Sequence, residues 1–132
     1  MTLLEETREK FKQDRYATEV TGAEIIAVDK GYAKTQLKIE PRHRNVVGGV
    51  MGGAMFTLAD FAFAIASNTG YPETISISSD IEFLNAVKGS VLTAETHCER
   101  AGRRTCTYRI PITDDLGTRV AVVMMTGLRV GK

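Results

Sequence analysis

The stretch GGVMGGAMFTLADFAFAIA, residues 48–66, is a glycine-rich entry into an apolar run in which Asp60 is the only ionisable side chain. From Gly52 or Gly53 to about Ser67 its apolar residues fall on nearly every face of a helix, and NTGYP (68–72) supplies the glycine and proline that end it. A helix apolar all round must be surrounded, and a curved sheet wrapping it meets that requirement.

The flanking sequence supplies such a sheet. Residues 22–28 and YAKTQLKI (32–39) read as strands of a β-hairpin turning at DKG, and EPRHRNVVGG (40–49) reads as the loop that delivers the chain to the helix. From Thr74 the period changes to two, with Ile75, Ile77, Ile81 and Phe83 on one side and Ser76, Ser78, Asp80 and Glu82 on the other, the pattern of a half-buried strand. Further strands follow at 90–99, with Leu92, Ala94 and Cys98 inward, and at 103–112, with Cys106, Tyr108, Ile110 and Ile112 in phase. Pro111 fits an edge, a bulge or a strand end. The last strand, TRVAVVMMTGLRV, is the most continuously apolar and is expected to lie centrally. Residues 3–14 read as a short surface helix with a weak apolar stripe, so residues 1–19 form a helical extension to one α+β domain.

Composition excludes several classes of function. The chain has 132 residues, 43% hydrophobic and 25% charged, with 17 basic against 16 acidic residues, which suits one ordinary globular domain. A net charge of +1 gives no reason to expect nucleic acid or an anionic membrane as partner. Residues 46–66 approach the length of a membrane span, but their four glycines and Asp60 argue for a buried helix instead. Cys98 and Cys106 lack the spacing of a zinc or redox motif, and two buried thiols in a reducing cytoplasm are expected rather than a disulfide. No metal-ligand set is present at recognisable spacing. His43 reads as a solvent-facing loop residue and His97 as part of a strand's polar face.

Asp60 has Phe56, Phe63 and Ala64 as helical neighbours, and an aspartate so placed needs a partner or a ligand. Burial raises its pKa and strengthens whatever contact it makes. The alternative is a structural role at a subunit interface, bonded to backbone or to a residue such as Asn45. Gly48, Gly49, Gly52 and Gly53 let the backbone approach a ligand, and the helix start leaves N–H groups suited to an oxyanion. Those glycines could also serve only turning and packing. Gly52 and Asp60 lie eight residues, about 12 Å of helical rise, apart. One site containing both therefore calls for an extended substrate or for a dimer with antiparallel central helices.

The segment NVVGGVMGGAMFTLADFAFAIA (45–66), together with ISISSDIEFLNAVKGSVLTAE and ERAGRRTCTYRIPITDDLGTRVAVV, resembles the hotdog-fold acyl-CoA thioesterases of the phenylacetate-degradation, or PaaI-like, group. The resemblance covers roughly residues 20–130. It implies a curved antiparallel sheet of about six strands around a central helix, in dimers with shared sites and often in tetramers. The activity implied is hydrolysis of an acyl-CoA thioester, with Asp60 as nucleophile or general base, Gly52 N–H as oxyanion donor, Asn45 positioning thioester or water, and Ser76 assisting the water. Coenzyme A enters as part of the substrate and no separate cofactor is implied. Met51 and Gly53 fall at the substrate, Phe63 lines the pocket or fills the core, and Lys88, Arg100, Arg103 and Arg104 are the basic groups available to coenzyme A phosphates. Met51 departs from the group's pattern, which has histidine there; a thioether neither donates a hydrogen bond nor titrates. The alternatives are a non-catalytic acyl-CoA-binding hotdog dimer and an acyl-thioester hydratase or dehydratase.

Overall fold

The computed structural model describes residues 1–131. Its central element is helix α2, Gly52–Asn68, whose Leu58, Ala59, Ala62, Ile65 and Ala66 are wholly buried. Around it curves an antiparallel sheet built from β1 (Glu24–Asp29), β2 (Tyr32–Lys38), β3 (Thr74–Phe83), β4 (Val91–Glu95), β5 (His97–Ala101), β6 (Thr105–Asp114) and β7 (Arg119–Arg129), in the order β1-β2-β4-β6-β7-β3 with β5 beside β6. This is the hotdog arrangement that the resemblance implies.

The sheet's inner face is set by the period-two pattern: Cys106, Tyr108, Ile110 and Ile112 of β6 and Val120, Val123 and Met125 of β7 are all buried. β7 has β6 on one side and β3 on the other, the interior place expected from its apolar continuity.

Three expectations need correction. Residues 90–99 do not form one strand, because Thr96 breaks them into β4 and β5 and brings the sheet to seven strands. The buried Thr96 hydroxyl accepts from Ala33 N–H at 2.9 Å, so a side chain takes over a ladder position. Pro111 lies opposite this break, between the residues of β6 that pair with β4 and those that pair with β5. Cys98 consequently sits exposed on β5 and pairs with Tyr108, while Cys106 is buried; both are free.

β3 is the second correction, since it is an edge strand rather than a half-buried one. A bulge at Ile77 interrupts its alternation, and Ile75, Ile77 and Phe83 stand about half exposed, at 49%, 55% and 58%. The third is His43, which is buried at the end of the 3₁₀ turn Pro41–His43. Its Nδ1 accepts from Glu40 N–H at 2.9 Å, so Nε2 carries the proton that it donates to Thr21 O at 2.7 Å.

The N-terminal segment positions one side of the site. Helix α1, Leu3–Phe11, opens with a Thr2–Glu5 capping box and packs Phe11 edge-on to Phe61 of α2, with ring centroids 6.1 Å apart. A π-helical turn, Tyr16–Thr21, follows and ends at Gly22 in the left-handed conformation, with φ of 85°. The sequence carries no apolar period that would reveal this turn.

Candidate active site

The sheet does not cover α2 completely. Gly53, Phe56, Thr57, Asp60, Ala64 and Asn68 recur at helical spacing and stay open or half-buried, so Asp60 lies on the one stripe of α2 that the chain leaves accessible. The N-terminal segment forms a wall beside that stripe. Asp14, Arg15, Tyr16 and Ala17 face Phe56, Thr57, Asp60, Phe61 and Ala64 across a groove of about 570 Å³. Burial against this apolar floor pushes the Asp60 carboxyl above its ordinary range, and the negative charge of Asp14 adds to the effect.

Gly52 opens a different cavity. With Arg44, Gly48, Gly49, Met55 and the loop Phe83–Val87 it lines a space of about 560 Å³. A Cβ at Gly52 would come within 2.6 Å of Phe83 Cζ and would have to displace that half-exposed ring. The helix begins here without a side-chain cap, because its N-cap is Met51. Backbone bonding at this end starts with Ala54 N–H donating to Met51 O at 3.1 Å, so the N–H groups of Gly52 and Gly53 remain donors at the positive end of the helix dipole.

Met51 and Gly53 line a third depression, of about 260 Å³, with Tyr16, Val20, Arg42, His43 and Thr57. Asn45 organises the loop before the helix: its Oδ1 accepts from Val47 N–H at 3.1 Å and Gly49 N–H at 3.0 Å, and its backbone N–H donates to Gly49 O at 2.8 Å. That loop turns at Gly48, whose φ is 88°.

The remaining expected site residues are dispersed. Ser76 is exposed on β3 opposite Gly127, away from the residues lining the Asp60 groove. Phe63 is core, its ring edge-on to Tyr108 at 5.6 Å. Arg100, Arg103 and Arg104 cluster at the β5–β6 hairpin, whereas Lys88 adjoins Asp114 at the far end of β6, roughly 30 Å away at the rise of a strand. The cation that lines the Gly52 cavity is therefore Arg44, which donates to Gly48 O at 2.9 Å. Arg44 and Asp14 were not anticipated. Arg44 belongs to the entry loop and could have been included on adjacency alone, but Asp14 reaches the groove only through the packing of the π-helical turn.

Within one chain, then, the acid and the free helix N-terminus sit on the same helix but open into separate cavities. The first is suited to attack or proton abstraction, the second to binding developing negative charge.

A family model described as the thioesterase superfamily matches residues 47–121. The chain belongs to that superfamily, as a hotdog-fold protein of its PaaI-like group. The acyl-coenzyme A thioesterase PaaI of Escherichia coli is 31% identical over 83% of this chain and 79% of its own length. The solved E. coli PaaI structure superposes with a TM-score of 0.84 at 26% identity, covering 97% of this chain and 96% of that one. A hypothetical thioesterase of Streptococcus pneumoniae solved with coenzyme A also gives 0.84 at 26% identity, over 92% of this chain and 98% of that one. A 1,4-dihydroxy-2-naphthoyl-CoA hydrolase of Listeria monocytogenes is 30% identical over 74% of this chain and 81% of its own.

Proposed function

We propose that this thioesterase hydrolyses an acyl-CoA thioester to the free acid and coenzyme A, with Asp60 supplying the attacking or proton-accepting carboxylate and the Gly52 N–H stabilising the oxyanion. The observation that carries the reading is Asp60 itself: the sole carboxylate on the accessible stripe of α2, raised in basicity by its apolar groove. Relatives named as acyl-CoA hydrolases, and one solved with coenzyme A, supply the substrate class.

In one route the Asp60 carboxylate bonds to the thioester carbonyl carbon, the C–S bond breaks to release coenzyme A, and water cleaves the acyl-aspartyl anhydride. In the other, Asp60 takes a proton from water as the water oxygen bonds to the same carbon, and the thiolate leaves with a proton. Both give acid and thiol from thioester and water. Asn45 holds the glycine loop in shape and keeps its Nδ2 for substrate or water.

Separate cavities for Gly52 and Asp60 fit a site shared between two chains. The edge strand β3, with Ile75, Ile77 and Phe83 half exposed, and the open stripe of α2 are the apolar surfaces that a second copy would cover. A dimer that sets its central helices antiparallel would bring Asp60 of one protomer toward Gly52 of its partner.

Asp60→Asn tests the assignment. Thiol release from a panel of aryl and aliphatic acyl-CoAs is expected to fall by about 10²–10⁴-fold, with the oligomeric state unchanged. Wild-type turnover in this variant would sink the assignment. Met51, half exposed where the group carries histidine, gives weight to a second reading, acyl-CoA binding without hydrolysis. Binding of coenzyme A with no thiol release across the panel would select it.

A further inference from the structure

We propose that Asp14 is a positioning residue for the reaction: its negative charge, held across the groove from Asp60 by the N-terminal segment, keeps Asp60 a stronger base than the helix alone would make it. The inference rests on Asp60 being the reacting carboxylate.

The geometry has three parts. Asp14 and Asp60 line the same groove from opposite walls, one on the linker between α1 and the π-helical turn, the other on the open stripe of α2. The linker is fixed at both ends by backbone: Asp14 N–H donates to Phe11 O at 3.1 Å, while Asp14 O accepts from Thr18 N–H and from Thr18 Oγ1, each at 3.0 Å. Phe11, one turn earlier, is anchored on Phe61 of α2. The backbone of Asp14 is thus committed to structure, while its side chain stays exposed at the rim of the groove.

The cations that share a depression with Asp14 are Lys10 and Arg15, and Lys10 sets its Nζ 5.5 Å from the Phe11 ring centroid. Arg15 turns its guanidinium to Glu19, Nε to Oε1 at 3.9 Å. Within one chain the other titratable or charged groups lining the groove are Arg15 and Tyr16, Lys10 and Glu73 line the depression that adjoins it at Asp14 and Ala64, and α2 contributes none besides Asp60. After the apolar floor, Asp14 is the next cause of the raised Asp60 pKa.

The sign of the effect follows. The working form of Asp60 is the carboxylate, so activity rises with pH as Asp60 loses its proton. A like charge opposite holds that proton to higher pH, and a carboxylate with a higher pKa is the better base or nucleophile once ionised. Removing the charge at Asp14 therefore moves the acid limb to lower pH and lowers the plateau above it.

The test compares wild type, Asp14→Asn and Asp14→Glu in pH profiles of kcat/KM for one cleaved acyl-CoA, with Asp60→Asn as reference. Carboxyl NMR titration of Asp60 in the substrate-free protein gives a readout independent of turnover. The expected result is a downward shift of the acid limb and of the NMR titration in Asp14→Asn, with Asp14→Glu staying near wild type. An unchanged limb and titration in Asp14→Asn, while Asp60→Asn is inactive, overturns the role of Asp14 and leaves Asp60 in place. Equal shifts in Asn and Glu variants also overturn it, since a loosened linker would then be the cause. If Asp60→Asn turns over like wild type, it is the assignment of Asp60 that fails.

Discussion

The two ends of α2 are finished in opposite ways. At the C-terminal end almost every backbone group has a partner: Asn68 Nδ2 donates to Ala64 O at 2.8 Å and Thr74 O at 3.2 Å, its Oδ1 accepts from Thr74 N–H at 2.7 Å, and Thr69 donates twice to Ile65 O. Arg129 reaches in from β7, Nη1 donating to Ser67 O at 2.6 Å and to Thr74 Oγ1 at 2.7 Å, with its guanidinium stacked 4.3 Å from the Tyr71 ring centroid. At the N-terminal end there is no side-chain cap, and two glycines expose the first N–H groups beside a cavity. Loose carbonyls at one end are a stability problem, and the chain closes those of Ile65 and Ser67; the N–H groups of Gly52 and Gly53 at the other stay open, as the proposed oxyanion role requires.

The largest effect that can break this contrast is at Gly52. Gly52→Ala places a Cβ 2.6 Å from Phe83 Cζ, and either the half-exposed Phe83 ring swings aside or the helix start shifts. Turnover is expected to fall about 10²-fold, the scale of losing an aligned oxyanion donor. Adding Phe83→Ala makes room without touching the backbone, so the double variant should regain much of the loss. A single variant that turns over normally would remove the Gly52 end from the site.

At the closed end the opposite separation holds. Arg129→Met removes donors from the buried Ser67 carbonyl and is expected to cost about 1–3 kcal/mol in chemical denaturation, with kcat/KM of the folded protein unchanged. A variant with normal stability but reduced kcat/KM would show that the two ends are not divided between stability and chemistry.

This contrast also marks what was legible in the sequence. The helix, its glycine entry and the inward faces of β6 and β7 follow from period and composition, because burial imposes them residue by residue. Asp60 stood out for the same reason, as an exception to a pattern. The break at Thr96, the burial of His43 and the place of Asp14 do not show locally. Thr96 depends on where β2 runs out of partner, His43 on Thr21 O arriving from the π-helical turn, and Asp14 on that turn packing against α2. The spread of Lys88 and the arginines to opposite ends of β6 likewise follows from register, which no run of basic residues reveals.

The smallest effect concerns Met51, the N-cap with nothing to cap. Its side chain has no acceptor able to compete for the first-turn donors, so the open end of α2 costs stability that a polar residue would recover. Met51→Asp is expected to stabilise the fold by about 1 kcal/mol, through an acceptor for the N–H of Gly53 or Ala54 and a negative charge at the positive end of the dipole. The same charge lies next to Gly52 and opposes a developing oxyanion there, so turnover should fall as the melting temperature rises. Met51→Ser separates the two terms, because it supplies the acceptor without the charge; most of the stability gain with a smaller loss of turnover is expected. If Met51→Asp gains stability at no cost in turnover, negative charge does not develop at this end of the helix, and the open N-terminus is only an unfinished one.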